Sequence, residues 1–341
     1  MSYERGIAAI RLQAPAEIPH TQYITHPKLE EALAGVPRES PEFGARLAKA
    51  LDLDFFWYTD GPGVSGKHTD MGHCVWQADG SDFHLPGEYA FKTTEEALSL
   101  DPVAEYGLPD IQQQAERYQA WWKESQAKTD GVLPGGLYMS LFSFCIHTFG
   151  WETFLAAAAE DEERFDKILD GYFKIIMAYT QAWAKTDIEV FLTHDDIVWT
   201  AGPVFRPQWY RDHVFPRYKK YWEVMRNAGK TVLFCSDGNF DEFVDDLAAA
   251  GTQGFIFEPL TSLENIVRKY GKTHVIMGNA DTRILTFSTK DAVRTEVQRC
   301  MLVGRDCPGF FFAVGNHIPP NVPVENAMEC LDEYKRLRKR R

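Results

Sequence analysis

Long apolar stretches, closely spaced cysteines and positive charge are all scarce in this sequence. Every apolar run is shorter than the roughly 18 residues that a membrane-spanning helix needs, so we expect no membrane segment. The N-terminus reads Met-Ser-Tyr-Glu-Arg, with Glu4 early and no apolar core behind it, which predicts that no signal peptide is present.

The cysteines are scattered and form no Cys-x-x-Cys pair, which argues against a disulfide scaffold. A reducing cytoplasm is therefore the expected location. The six cysteines are Cys74, Cys145, Cys235, Cys300, Cys307 and Cys330.

Acidic residues outnumber basic ones by 49 to 36, so the formal net charge is −13. This balance argues against a surface that binds nucleic acid. The one basic run, Lys335 to Arg341, ends the last predicted helix, where cations suit the helix dipole and water. We interpret it as a solvated tail.

Short apolar runs alternate with helical patterns from residue 138 onward, which is typical of repeated β-α units and a parallel sheet. One more strand is predicted upstream. The sequence thus shows seven strands, and we expect one further strand that its pattern does not reveal. The predicted strands are 53–58, 138–143, 189–193, 231–235, 254–257, 274–277 and 310–314. The predicted helices are 151–160, 162–185, 207–228, 240–250, 262–270, 289–303 and 324–340.

This pattern predicts an α/β fold, a (β/α)8 TIM barrel with an N-terminal extension. No linker divides the chain, so we expect one domain over residues 1–341. Residues 1–50 are interpreted as the extension and residues 60–135, roughly, as an excursion over the barrel mouth. The oligomeric state stays open, and a homodimer is compatible with the sequence.

Polar side chains follow five consecutive predicted strands. Because parallel strands of a barrel deliver their carboxyl ends to one rim, we expect these side chains to form one acidic site. Such a rim needs a bound cation or a ligand with hydrogen-bond donors. In chain order the residues are His194, Asp195, Asp196, Cys235, Asp237, Asn239, Glu258, Asn279, Asp281, Asn316 and His317.

Several members of this set have a plainer interpretation when taken singly. Asp237 and Asn239 could cap the next helix, Glu258 could cap a turn, and Cys235 could be a small buried residue. His317 alone would more often be a hydrogen-bonded structural imidazole. Because all of these residues are expected at one rim of the barrel, we favour a shared functional site over separate structural roles. Upstream, His73 and Asp82 are weaker candidates to face the same mouth, and the aromatic Tyr138 could line an apolar pocket there.

The chain resembles the uroporphyrinogen decarboxylase superfamily, whose fold is a (β/α)8 barrel. Three segments carry the resemblance: Arg206-Pro207-Gln208-Trp209-Tyr210 through Phe215-Pro216-Arg217-Tyr218, Cys235-Ser236-Asp237-Gly238-Asn239, and Gly315-Asn316-His317-Ile318-Pro319-Pro320-Asn321-Val322-Pro323. True decarboxylases of the family have an arginine-rich Arg-Gln-Ala-Gly-Arg run and a histidine where this chain has Asn316. Neither is present, and an acidic rim suits an octacarboxylate poorly, so porphyrinogen decarboxylation is not expected.

The methyltransferase branch of the superfamily holds zinc with His-x-Cys and a distant Cys; the matching positions are Cys235, Asp237 and Asn316. The corrinoid-dependent O-demethylase methyltransferases look closer. Their acid, acid, His zinc set resembles Asp281, Glu296 and His317, and Cys235, Asp237 or Glu258 could equally supply the third ligand. Taken alone, Glu296 is more simply explained as a solvent-exposed residue of the predicted helix 289–303 than as a zinc ligand.

This resemblance implies methyl transfer from an aryl methyl ether to a corrinoid protein, that is, O-demethylation. No Asp-x-His-x-x-Gly run is present, so the corrinoid (cobalamin) is expected on a separate protein. The departing oxygen needs zinc or a proton. We predict catalytic roles for His317, Asp237, Asp196 and Asn316, metal binding by Asp281, Glu296, His317 and Glu258, and substrate binding by His73, Tyr138, His194, Asp195, Cys235, Asn239 and Asn279.

Other activities remain open at this point. The same fold could serve a thiol-directed methyltransferase or a decarboxylase, or it could bind a small ligand without turnover. Paired carboxylates at strand ends also fit a glycosidase, which the resemblance disfavours.

Overall fold

A computed structural model describes residues 2–60, 66–70, 74–76, 82–84 and 88–340 of the chain. Predicted residue His73 lies outside this set, as does the side chain of Asp82. Among the described residues, no helix combines the length and apolar character needed to span a bilayer.

Sixteen helices are present in the described parts. They are α1 Tyr3–Ile10, α2 Pro27–Ala34, α3 Phe43–Leu51, α4 Thr94–Leu98, α5 Pro102–Tyr106, α6 Ile111–Gln126, α7 Leu141–Phe149, α8 Trp151–Glu160, α9 Glu162–Ala184, α10 Pro207–Trp209, α11 Phe215–Asn227, α12 Val244–Ala250, α13 Leu263–Tyr270, α14 Thr282–Phe287, α15 Lys290–Gly304 and α16 Val324–Leu337. A π-helical turn, Tyr210–Val214, joins α10 to α11, and a 3-10 turn, Asp241–Phe243, precedes α12.

Six parallel strands form the main sheet in the order β10-β9-β8-β7-β4-β3, and two short antiparallel pairs, β1-β2 and β5-β6, lie apart from it. The strands are β1 Cys74–Trp76, β2 Asp82–His84, β3 Gly135–Leu137, β4 Val190–His194, β5 Val198–Trp199, β6 Gly202–Pro203, β7 Thr231–Ser236, β8 Gly254–Phe257, β9 Val275–Ala280 and β10 Phe310–Val314.

An extended segment, residues 18–25, continues the wall beyond β10. His20 forms a parallel bridge with Phe312, and the Thr21 N–H donates to the Phe312 carbonyl at 3.1 Å. This segment is the eighth position that the strand count missed. The strand was missed because Pro19 and polar residues obscure the apolar alternation of this segment. Residues 1–50 were predicted to be an extension, but they include part of the barrel wall.

A second segment, residues 53–60, runs beside β3, and Phe55 forms a parallel bridge with Val132. The Asp54 N–H donates to the carbonyl of His20 at 3.0 Å, which joins the two extra segments. Six strands and two segments thus close a (β/α)8 barrel, and the predicted fold class is confirmed.

The predicted strand at 138–143 is wrong. The strand is β3, Gly135–Leu137, and the apolar run that follows it forms α7, Leu141–Phe149, with nearly every residue buried. A helix buried on all sides has no 3.6-residue apolar stripe, so its sequence looks like that of a buried strand.

Alternate strand residues point into the barrel and form one apolar cluster there, in which Leu192, Leu233 and Ile256 are members. Helix α1 closes the amino-terminal end of the barrel, because its Ile7 and Ile10 belong to the same cluster. In the described parts of the chain the barrel interior is therefore a packed core, and its polar end lies at the carboxyl ends of the strands.

Gly136 lies where β3 packs closest to β4, and a β-carbon there would lie 2.2 Å from the carbonyl oxygen of Leu192. We expect Gly136→Ala to lower the free energy of unfolding by about 1–3 kcal/mol, because the strands must separate. Gly44→Ala is the matched control, since a β-carbon at that position on α3 would meet no neighbouring atom within 4 Å beyond the local backbone of its own helix. Urea unfolding should show a loss for the first variant alone; equal midpoints would contradict this account of β3.

Candidate functional site

The inward-facing positions of three neighbouring strands change from apolar to polar at the carboxyl end of the barrel. In β4, Leu192 is followed two residues later by His194. In β7, Cys235 is followed by Asp237, and after β8, Ile256 is followed by Glu258. Side chains alternate between the two faces of a strand, so residues two positions apart point the same way. His194, Asp237 and Glu258 therefore point into the mouth, as the apolar residues before them point into the core.

Three of the mouth residues converge closely enough to share one small ligand. His194, Asp196 and Asp237 each offer a ligand atom, and these atoms lie within 4.8 Å of one another. His194 Nε2 lies 3.2 Å from Asp196 Oδ1, and the Asp237 N–H donates to the same oxygen at 2.9 Å. Within the described parts of the chain, these three residues, here called the mouth cluster, form the group with metal-ligand spacing.

The mouth cluster can hold a proton as well as a cation. Burial opposes the protonation of His194, but the charge and hydrogen bond of Asp196, with the charge of Asp237, outweigh it and raise the His194 pKa to about 9. Burial also opposes ionisation of Asp196, but His194 and the Asp237 N–H hold its pKa below the usual value. At neutral pH the metal-free cluster therefore contains an imidazolium ion between carboxylates.

Asn316 links the mouth cluster to His317. It has a left-handed backbone, with φ 61°, and its Nδ2 donates to Asp237 Oδ2 at 3.0 Å. Its Oδ1 lies 2.6 Å from Nδ1 of His317. A carboxylate only accepts hydrogen bonds, so Nδ2 must face Asp237 and Oδ1 must face the imidazole. His317 therefore carries a proton on Nδ1, and the four predicted catalytic residues form one connected network with His194.

Asp195, predicted to bind substrate, is instead fully buried beneath the mouth. Its carboxylate accepts the N–H groups of Phe142 at 2.9 Å and Ser143 at 2.5 Å, and Tyr218 donates its hydroxyl to it. These N–H groups begin α7, so Asp195 binds the positive end of a helix from a different β-α unit. It fixes the turn that carries His194 and Asp196, and that prediction is corrected.

The predicted metal set is not brought together around one point. Asp281 accepts the N–H of Arg283 at 2.8 Å and pairs with its guanidinium, so its carboxylate caps α14. Glu296 is buried on α15, where it accepts the Asp281 N–H at 3.0 Å and pairs with Arg299. It lies behind the barrel wall, and its carboxylate already has a cationic partner.

Asn239 and Asn279 use their predicted substrate-binding amides locally. Asn239 Oδ1 accepts the N–H of Asp241 at 3.1 Å, which is the capping role weighed above. Asn279 is 1% exposed, with its Nδ2 donating to the Thr261 carbonyl at 3.0 Å and its Oδ1 accepting from Arg299. Cys235 lies under the mouth cluster, and burial, reinforced by the neighbouring carboxylates, raises its pKa well above the usual value.

A pocket of about 310 Å³ opens beside the mouth cluster. Glu258, Asp281, Asn316 and His317 line part of it, and Glu258 also accepts the N–H of Gly238 at 2.7 Å. Tyr138 flanks the other side of the mouth and is 42% exposed; its ring centre lies 4.8 Å from that of His194, with the two rings nearly perpendicular.

Sequence reasoning missed the residues that hold the mouth in shape. Ser143 Oγ accepts the Asp196 N–H at 3.0 Å, and Tyr218 binds Asp195 from α11. Tyr23, from the unseen wall segment, lies with its ring centre 5.9 Å from that of His317. Of these residues, Tyr218 could have been found from the sequence, because it ends a segment that carries the family resemblance.

The family model described as Uroporphyrinogen decarboxylase (URO-D) matches residues 90–337. The chain is 26% identical over 215 residues to a uroporphyrinogen decarboxylase of Syntrophotalea carbinolica, covering 61% of each protein. It is 22% identical over 205 residues to that of Carboxydothermus hydrogenoformans, covering 59% of this chain and 57% of the relative. The chain thus spans about three fifths of the length of these curated relatives.

A crystal structure of D-psicose 3-epimerase is similar at a TM-score of 0.36 and 10% identity, covering 87% of this chain and 92% of that one. This likeness is too distant to inform function.

Proposed function

We propose that this chain, which belongs to the uroporphyrinogen decarboxylase family, is a methyltransferase. Its donor would be a methoxylated aromatic compound, and its acceptor a cobalt(I) corrinoid carried by a separate protein. The observation that carries the proposal is the convergence of His194, Asp196 and Asp237 at the carboxyl ends of two neighbouring strands. Such a group is suited to activating a poor leaving oxygen.

The reaction breaks the bond between the methyl carbon and the ether oxygen. Both electrons of that bond stay on the oxygen, the cobalt(I) electron pair forms the new bond to carbon, and the oxygen takes up one proton. Phenolate is a poor leaving group, so the oxygen needs a Lewis acid or a proton donor in the transition state.

Zinc fits the residues of the mouth cluster. Imidazole nitrogen and carboxylate oxygen are both zinc ligands, and catalytic zinc sites use three protein ligands with a fourth position open; the three ligand atoms lie within 4.8 Å of one another here. His194, Asp196 and Asp237 would hold the ion, which would supply Lewis acidity to the ether oxygen.

His317 is the residue proposed to hold the proton for the leaving oxygen. Its ring lines the adjoining pocket, and Asn316, bonded to both Asp237 and His317, orients it relative to the mouth cluster. Tyr138, whose pKa burial and the cluster's carboxylates raise to about 12, stays a neutral wall of the mouth.

Decarboxylation is the second candidate, because the curated relatives are named decarboxylases. Porphyrinogens carry many carboxylates, and the described mouth offers them Asp196, Asp237 and Glu258 rather than a run of arginines. A decarboxylase acting on a smaller acid, a thiol-directed methyltransferase and a barrel without turnover remain the alternatives that the experiment separates.

The test combines metal analysis with a transfer assay. The protein, purified without chelator, is analysed for zinc and then mixed with a cobalt(I) corrinoid and 2-methoxyphenol, with the corrinoid spectrum recorded. We expect about one zinc per chain and a spectral change from cobalt(I) to methylcobalt(III), matched by release of catechol.

Two results would redirect the proposal. Methyl transfer by a zinc-free protein would assign the activation to protons on His194 or His317. A protein without zinc and without transfer, or one that releases CO2 from a small acid instead, would contradict methyl transfer as its activity.

A further inference from the structure

A short hairpin forms part of the wall of the pocket beside the mouth cluster. Strands β5 and β6 pair antiparallel, and Thr200 lies at the tip between them. Thr200 lines the pocket together with Leu260 and Phe287. The volume of about 310 Å³ and the partly apolar lining suit a ligand with one aromatic ring. The hairpin begins two residues after Asp196, so the pocket wall and the mouth cluster are joined along the chain.

One buried hydroxyl ties the two ends of this hairpin together. The hydroxyl of Tyr210 donates to the carbonyl of Ile197 at 2.7 Å, just before β5, and accepts the N–H of Val204 at 3.3 Å, just after β6. Tyr210 is fully buried and opens the π-helical turn, a feature that is frequent at functional sites. The phenol therefore closes the base of the hairpin.

The hairpin also rests on the turn that carries Asp237. The carbonyl of Trp199 accepts the N–H of Asn239 at 3.1 Å. Gly238 has φ 79°, and a β-carbon there would lie 2.8 Å from the same carbonyl oxygen, so the two backbones are in direct contact. The ring of Trp199 stacks on that of Trp151, with the ring centres 5.8 Å apart. These contacts fix the hairpin relative to the mouth cluster.

We propose that the β5–β6 hairpin is the wall that holds the methoxyarene in the pocket, and that Tyr210 is the positioning residue for this wall. The inference rests on the proposed methyl transfer and assigns donor binding to a part of the chain outside the mouth cluster. A wall that is in place before the donor arrives lowers the cost of ordering on binding. Loss of the Tyr210 hydroxyl should therefore weaken donor binding and leave the zinc ligands in place.

The test measures donor binding, turnover and zinc content on the same variants. Tyr210→Phe keeps the ring and its packing against Phe142 and Phe243 but removes the hydroxyl. Calorimetry with 2-methoxyphenol gives Kd, and the cobalt(I) corrinoid assay gives kcat and KM. We expect Kd and KM to rise about fivefold, the scale of one hydrogen bond, whereas kcat and zinc content stay at the wild-type level.

Thr200→Trp probes the same wall from its exposed tip. The indole should occupy the pocket and weaken the binding of 2-methoxyphenol about tenfold or more. In the double variant, Tyr210→Phe should relieve part of this block, because a released hairpin can move the indole out of the pocket. Such non-additive effects are expected of residues that act on one wall.

Two variants away from the hairpin are matched controls. Tyr270→Phe removes a hydroxyl that donates to Asp245 at 2.8 Å between α13 and α12. Thr295→Trp places an indole on the exposed surface of α15. Both variants should keep the Kd, kcat and zinc content of the wild type.

The possible results separate the inference from the proposed function. Unchanged Kd in folded Tyr210→Phe and Thr200→Trp variants of an active methyltransferase would overturn the hairpin assignment alone, as would loss of zinc at unchanged Kd. A Tyr210→Phe variant that does not fold would replace the positioning role by a structural one, and Thr200→Trp would still test the wall. Weaker binding in both variants without methyl transfer by the wild type would retain the wall and contradict the methyltransferase. Failure of 2-methoxyphenol to bind the wild type would overturn both.

Discussion

Asp237→Ala should lose its zinc and at least about a hundredfold of methyl-transfer rate, the scale set by removing one electrostatic contact to a transition state. The variant removes one of three converging ligand atoms and also the acceptor of the Asn316 amide. His317→Ala should lose transfer to a similar extent but retain its zinc, because His317 is outside the mouth cluster. Zinc content and corrinoid spectra measured on both variants check this division of roles.

The exposed Asp291 on α15 provides the matched control, since its side chain is 85% exposed and pairs with Arg294. Asp291→Ala should keep both zinc and activity. Full zinc in Asp237→Ala would contradict the mouth cluster as the metal site, and loss of zinc in His317→Ala would return His317 to the metal set.

The zinc affinity of the mouth cluster should also depend on pH with a defined sign. A zinc ligand must be deprotonated, and the carboxylates raise the His194 pKa to about 9 in the metal-free protein. The dissociation constant should therefore fall about tenfold per pH unit as pH rises towards 9, and level off above it. In the metal-free protein, the stability due to the His194 imidazolium is present below pH 6.5 and is lost as pH rises through about 9.

Asp195→Ala should lower the free energy of unfolding by about 3 kcal/mol or more, because each buried donor left without an acceptor costs about 1–3 kcal/mol. The substitution leaves the N–H groups of Phe142 and Ser143 and the hydroxyl of Tyr218 without their acceptor. Asp195→Asn should recover part of this loss, because it keeps one acceptor oxygen but turns a donor towards the other N–H. Chemical unfolding of the three proteins measures the order.

The same variants report whether Asp195 positions the mouth. Because His194 and Asp196 flank it in sequence, Asp195→Asn should weaken zinc binding even when the protein is fully folded. Tyr218→Phe, which removes only one donor to the carboxylate, should cost about 1 kcal/mol. A stable Asp195→Ala variant with unchanged zinc affinity would contradict the role of this carboxylate in holding the turn.

The barrel could be predicted because repeated β-α units are visible as local patterns. The strands that became β4, β7, β8, β9 and β10 have short apolar runs that end in polar residues, and all lie within a few residues of the prediction. The wall segment at 18–25 could not be recognised, because its polar residues are satisfied by contacts across the barrel, such as the Gln22 Oε1 that accepts the Val314 N–H. Residues 138–143 were misassigned because a fully buried helix has no periodic apolar face.

The acidic mouth and the residues that surround it could be predicted from the sequence, because strand ends and their parity follow from local patterns. Which of those residues meet depends on how distant segments pack together. Asp195 and Asp196 are adjacent in sequence, yet one binds the start of α7 and the other contacts His194 in the mouth. Asp281 and Glu296 match a ligand spacing, yet neighbouring arginines engage both. The partner of a carboxylate is set by packing between distant segments, and no local pattern records it.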